Sequence, residues 1–336
     1  MKPILDLIVT HYNEPWETGV KFFNMLCLQR GINFSDVRVI IVQDGKETML
    51  PWTDLLSRYP FACKVKTIRH AGVSAARNAG LRTSDAAFVM FCDFDDTFAS
   101  VHSLRRFLEN ALPERYDLVF SHLYGETEDG NGGHTLVRYA ENDTFIHGKM
   151  FRRDFLLSER ILFQTGVDFA EDTLFCHVVS IALKAGRSRE IPEVLYTRCW
   201  YDNSICHSEE NNLRNAIGVF NSRKTLIREY YDRMCPKNYA GTVVKTAFDY
   251  YYALMCPGYP EPEYFEKDFY NFWQQYRDVF THADDNLIAY EKDLAHREAA
   301  HKGFIRIENE TFPAFVERIV NKYSGTNQKG ETQDER

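Results

Sequence analysis

The chain is 336 residues long, 44% hydrophobic and 26% charged, the composition of a soluble globular protein with room for two domains. Its net charge of −8 argues against a protein that coats nucleic acid, but leaves a nucleotide substrate open, because a cation neutralises phosphates locally. No apolar run approaches the ~20 residues of a membrane span, and Ile4 to Val9, interrupted by Asp6, reads as a strand and not as a signal peptide.

The first ninety residues alternate as βαβ units do. Leu5 to Thr10 is predicted as the first strand, followed by a helix over Glu17 to Arg30 that Gly31 ends. Val37 to Val42 is a second buried strand, Leu50 to Tyr59 a short helix, Lys64 to Arg69 a third strand and Ser74 to Leu81 an alanine-rich helix. Ala87 to Phe91 is a continuous apolar run, as expected of a strand buried on both faces. Further on, Leu118 to Tyr124 and Thr135 to Tyr139 flank a loop-rich Thr127 to Gly133, predicting a hairpin.

Near residue 208 the pattern turns helical, with Val219, Leu226 and Tyr230, then Val244, Phe248, Tyr251 and Leu254. The expected division is 1–208, 209–324 as a helical region punctuated by Pro257 to Pro262, and a disordered polar tail over 325–336. The dense aromatic residues of the helical part are read as helix packing. Cys27, Cys92 and Cys176 lie in apolar runs and read as reduced core thiols of a cytoplasmic protein, an argument that also opposes a Cys199–Cys206 disulfide.

The run Cys92-Asp93-Phe94-Asp95-Asp96 closes the strand over Ala87 to Phe91. Asp93 and Asp95 are two apart on an extended segment, so they point the same way, and like charges so placed call for a cation. Oxygen ligands select a hard ion such as Mg²⁺ or Mn²⁺. A solvated acidic turn is the alternative that the run alone leaves open.

Four other segments accompany it in order: Val9-Thr10-His11-Tyr12-Asn13-Glu14, Val42-Gln43-Asp44-Gly45, Gly72-Val73-Ser74-Ala75-Ala76-Arg77-Asn78, and Phe169-Ala170-Glu171-Asp172-Thr173. Together, over about residues 1–208, they resemble the family 2 glycosyltransferases of GT-A fold, which transfer a sugar from a nucleotide-sugar with inversion. The resemblance implies an α/β fold: a Rossmann-like GT-A domain with a mixed central sheet, followed by an α-helical C-terminal region. Thr10, Tyr12 and Glu14 then flank the nucleotide base and ribose, Asp44 hydrogen-bonds a base, usually uracil, and Arg77 closes over base or phosphates. Asp93 and Asp95 match the DxD motif, with Asp95 the direct ligand of Mn²⁺ or Mg²⁺, which stabilises charge on the leaving diphosphate. His207, in Ser204-Ile205-Cys206-His207, resembles the histidine that completes such a metal site.

Glu171-Asp172 resembles the family's acidic pair, with Asp172 the general base for the acceptor hydroxyl and Glu171 beside it; both also suit a helix N-terminus. Asp96, His147, Gly148 and Lys149 are candidates for contact with the donor sugar or the acceptor, Gly148 through close backbone approach and Lys149 through phosphate or a helix cap. The expected partners are a UDP-sugar and a hydroxyl acceptor, a glycan or cell-surface polymer before a nucleobase or protein. A local basic groove from Arg152, Arg153, Arg187 and Arg189 would be needed for a DNA acceptor. The helical region is open to homo-oligomer contacts, and any membrane contact would be peripheral. A non-catalytic nucleotide-sugar-binding protein on the same fold is the competing class, against which the joint presence of Asp93, Asp95, Asp96 and Asp172 speaks.

Overall fold

In the computed structural model, residues 2–45, 50–129, 132–140, 142–167, 169–200, 212–301 and 310–324 are described. Three apolar runs form the centre of a mixed sheet: β1 (Leu5–His11), β2 (Val37–Asp44) and β4 (Phe88–Asp93) are buried along almost their whole length. With β3 (Ala62–Ile68) they pair in parallel in the order β3-β2-β1-β4. The crossovers carry α1 (Trp16–Cys27), α2 (Trp52–Leu56) and α3 (Val73–Thr83). Helix α1 ends at Cys27, before the predicted Arg30, and Arg30 gives its N–H to Val101 O instead.

Beyond β4 the sheet continues with β8 (Lys149–Arg152), β6 (Leu118–Glu128), β9 (Ser188–Arg198) and the two-residue β5 (Thr97–Phe98). β8 is antiparallel to both β4 and β6, so the direction of the sheet changes beside the acidic run. β6 outruns the predicted Tyr124 by four residues and turns back into β7 (His134–Tyr139), which shortens the expected hairpin loop. Short helices α4 (Ser103–Leu108) and α5 (Arg153–Ser158) link the strands, and α6 (Glu171–Ala182) precedes β9.

The chain divides into two compact units, 1–218 and 219–336, the division falling within α7 (Asn212–Asp232). The second unit continues with α8 (Pro236–Leu254), α9 (Pro262–Thr281), α10 (Asp285–His301) and α11 (Phe312–Ser324). Helix α8 is buried around most of its circumference, as a central helix must be. Its aromatic residues pack on those of neighbouring helices: Tyr250 stacks on Phe220 at 3.8 Å between centroids, and Phe248 meets Phe312 at 4.5 Å. Lys245 is buried with its ammonium 3.0 Å from Asp249 and 2.8 Å from Glu298. Among the described residues no helix is long and apolar enough to cross a membrane, and no cysteine is in a disulfide. Cys206 and His207 lie outside the described residues, as does the polar tail from Gly325.

Candidate active site

Parallel pairing sets the ends of the central strands level. Thr10 of β1 is in register with Val42 of β2 on one side and with Asp93 of β4 on the other, so the loops that follow open on one edge. Ligands of open α/β sheets bind at that edge. The acidic turn is anchored there from behind. Phe94 is 2% exposed and its ring lies among His11, Trp16, Phe23 and Trp52. Helix α1 admits it because residue 19 is glycine: a Cβ at Gly19 would come within 2.3 Å of the Phe94 ring.

Asp93 lies between two partners. Its Oδ1 accepts from Arg77 Nη2 at 3.0 Å and its Oδ2 from His147 Nε2 at 2.9 Å. The other arm of Arg77, Nη1, donates to Glu171 Oε1 at 2.8 Å, and the guanidinium faces the Phe163 ring at 5.2 Å. A buried arginine, 4% exposed along its side chain, thus ties the DxD turn to the start of α6. Burial pushes the Asp93 carboxyl up, but Arg77, with His147, outweighs it and holds Asp93 below the usual carboxylate range. Burial lowers the His147 imidazole, against the attraction of Asp93.

The remaining carboxylates are crowded. Asp96 is buried; its Oδ1 accepts from Cys199 N at 2.9 Å, while Oδ2, 3.5 Å from His147 Nε2, makes no hydrogen bond. Burial, then the charges of Asp95 and Asp93, raise Asp96 well above its ordinary value. Burial, Asp93 and Glu14 push Asp95 up to about 7. Donor atoms of Asp93, Asp96 and His147 lie within 4.8 Å of one another. A buried carboxylate oxygen without a partner, beside two further carboxyls and an imidazole nitrogen, fits a divalent cation. Asp95 neighbours this cluster without belonging to it, and His147 enters it although sequence reasoning had set it aside for the sugar or acceptor.

Glu171 and Asp172 open α6, as acidic residues at a helix N-terminus should. Ala170 before them is in the left-handed region at φ 61°, a strained conformation for a residue with a Cβ that fixes where the pair begins. Burial raises Glu171 to about 7, with Arg77 opposing and Asp172 adding to the rise. Asp172 Oδ1 accepts from Thr173 N at 2.7 Å.

On the other side of Thr10, Asp44 is buried at the end of β2. Its Oδ1 accepts from Ala71 N at 2.8 Å and its Oδ2 from Gly72 N at 2.9 Å. Glu14 accepts from Tyr12 N at 2.8 Å, which folds the loop after β1. Gln43, one residue before Asp44 and so directed to the opposite face, accepts from His11 and from Trp52 Nε1 and donates to Tyr12 O.

Two sequence candidates lie elsewhere. Lys149 is buried, and its ammonium donates to Phe145 O, to Asn142 Oδ1 at 3.3 Å and to Cys176 Sγ at 3.5 Å, none of them a member of the acidic cluster. Gly148, at φ +68°, faces Ser121 of β6, whose Oγ a Cβ would meet at 3.0 Å; the close approach is to the protein's own strand. Arg152 and Arg187 converge on Asp117, at 2.6 and 2.7 Å, so the conjectured basic groove loses two of its charges.

The family model described as glycosyl transferase family 2 matches residues 6–170, which hold every segment of this site as far as the turn before Glu171. The minor teichoic acid biosynthesis protein GgaA of Bacillus subtilis is 25% identical over 235 residues, 59% of this chain and 50% of that protein, so the chain spans half that relative's length. S. aureus TarS 1-349 in complex with UDP superposes with a TM-score of 0.60 at 16% identity, over 97% of this chain and 92% of the other. The mannosyltransferase PcManGT from Pyrobaculum calidifontis, in complex with GDP-Man and Mn²⁺, matches at 0.50 and 13% identity, over 99% and 89%. With the strand order, the acidic turn and the acidic helix start already in place, residues 6–170 form a glycosyl transferase family 2 domain, and the chain has the fold of the GT-A enzymes it superposes on.

Proposed function

We propose that the protein is a metal-dependent, inverting glycosyltransferase that moves a sugar from a UDP-sugar to a hydroxyl of a glycan or cell-surface polymer by single displacement. The observation that carries this reading is the Arg77 bridge, which joins the carboxylates suited to the leaving group with those suited to the acceptor. Asp93, Asp96 and His147, with Asp95 beside them, would hold the cation, and His207 remains a further candidate ligand from sequence. An imidazole among carboxylates favours Mn²⁺ over Mg²⁺, and Mn²⁺ accompanies GDP-Man in the Pyrobaculum calidifontis enzyme. When bound, such an ion offsets charge that develops on the departing diphosphate.

Asp172 acts as the general base, accepting the acceptor hydroxyl's proton as its oxygen attacks the anomeric carbon. Glu171, fixed by Arg77, orients that hydroxyl, while Thr10, Tyr12, Glu14 and Asp44 receive base and ribose. The complex of TarS with UDP supports a uridine nucleotide, and the name of GgaA supports a wall polymer as acceptor. The free thiols of the described residues suit a cytoplasmic location, with any membrane contact peripheral. A panel of UDP- and GDP-sugars with Mn²⁺ or Mg²⁺ identifies the donor through hydrolysis and thermal shift. On that donor Asp172→Asn lowers kcat by roughly 10²–10⁴-fold with UDP affinity near wild type. Near wild-type transfer by the variant would remove Asp172 from the role of base.

A further inference from the structure

The end of β3 leads through His70, Ala71 and Gly72 into α3, and this connection meets Tyr12 and Asp44. The rings of Tyr12 and His70 stack with 4.2 Å between centroids and 14° between planes. His70 Nδ1 lies 3.0 Å from Asp44 Oδ2. Both rings remain open to solvent, Tyr12 at 41% and the His70 side chain at 53%. A planar heteroaromatic ring therefore lies flat on a phenol ring and gives an N–H to a buried carboxylate. A pyrimidine base would use the same two contacts, a π-face and a ring N–H.

We propose that His70 occupies the nucleobase place on Tyr12 and Asp44 in the ligand-free protein, and that the donor nucleotide displaces it. His70 is then a competitor carried by the chain itself. The inference rests on the reading of Tyr12 and Asp44 as base contacts. Asp44 does not depend on His70 for its position, because the amides of Ala71 and Gly72 hold both of its oxygens. Gly72, at φ +85°, lets the connection turn those two amides toward it. Swinging the imidazole out thus exposes an aromatic face and a fixed acceptor without rebuilding the loop. The apparent affinity of a nucleotide falls by the fraction of molecules in which the slot is open.

The test is titration calorimetry of the full chain with UDP and with GDP, each with Mn²⁺, for wild type, His70→Ala, Tyr12→Ala and Asp44→Asn. For the nucleotide that binds, His70→Ala is expected to tighten affinity by roughly three- to tenfold, the range of an aromatic stack. Tyr12→Ala and Asp44→Asn are expected to weaken it. Unchanged or weaker binding by His70→Ala, with the other two variants weakened, would overturn the competitor and make His70 part of the base's cradle. Unchanged binding by Tyr12→Ala and Asp44→Asn, or no binding of either nucleotide, removes the base-site reading itself and the competitor with it. NMR of wild type supplies a second readout: the His70 ring protons, shifted upfield by Tyr12, move to solvated-histidine positions on saturation with the nucleotide. Retention of the upfield shift means that the ring stays on the stack and overturns the proposal.

Discussion

Arg77 carries the site at the level of a single side chain. Unlike a helix-surface salt bridge, its guanidinium is buried and divides its two arms between Asp93 and Glu171. The magnitudes separate these cases. An exposed pair contributes little, whereas removing one partner of a buried pair leaves charge uncompensated and costs about 3–5 kcal/mol. Arg77→Met is therefore expected to lower stability by about that much in urea denaturation, and to abolish transfer. The exposed Arg297–Asp293 pair, at 2.9 Å, is the control, and Arg297→Met should give no measurable change. Equal, small effects from the two substitutions would show that the bridge does not hold the site together. The link between Asp93 and Glu171 could not be read from sequence, because residues 78 apart are joined only by the side chain of Arg77 in the folded chain.

Among elements, α1 and the acidic turn are one mechanical piece. The Cβ of an alanine at position 19 would lie 2.3–2.5 Å from three atoms of the Phe94 ring, so either the helix or the turn must move. Overpacking of this kind costs about 1–3 kcal/mol, and here it also displaces Asp93 and Asp95. Gly19→Ala is expected to lose both stability and transfer. Phe94→Leu in the same chain removes the clashing ring atoms and should recover part of both. A double-mutant cycle measures the coupling, and strictly additive losses would contradict it. The strands of this piece were legible because β1, β2 and β4 are buried on both faces and read as apolar runs. β9 was not, because Ser188-Arg189-Glu190 and Pro192-Glu193 interrupt its apolar residues. The two-residue β5 carries no periodicity to find. His70 escaped notice for another reason: a histidine just after a strand has no signature until the ring beneath it is known.

At the scale of the molecule, the proposed cation site would couple cation binding to pH. Asp96, a member of the cluster, is raised well above its ordinary value, and Asp95 beside it is raised to about 7, from an ordinary carboxylate range near ~4. A raised carboxyl binds its proton more tightly in the folded state. Its stabilising contribution is complete below the unfolded value and is lost as pH rises through the folded one. The cation-free protein therefore loses stability from these groups between about pH 4 and pH 7. A divalent cation held there would bind the ionised carboxylates, so its stabilising effect would grow over the same window. Saturating Mn²⁺ should raise Tm more at about pH 8 than at about pH 5.5, read by scanning fluorimetry. An increment independent of pH would mean that the cluster is not where the cation binds.

The level ends of β1, β2 and β4 have a consequence for how such a scaffold changes over time. Thr10 is aligned with Val42 and with Asp93, so the spacing between the strand ends that carry Asp44 and Asp93 is fixed by hydrogen-bond register. A one-residue insertion within a central strand would turn every later side chain to the other face and dismantle both ends at once. Insertions in the turns beyond the strands leave that ruler untouched. Changes in those turns can therefore alter what meets Asp44 and Asp93 without altering the spacing between the two.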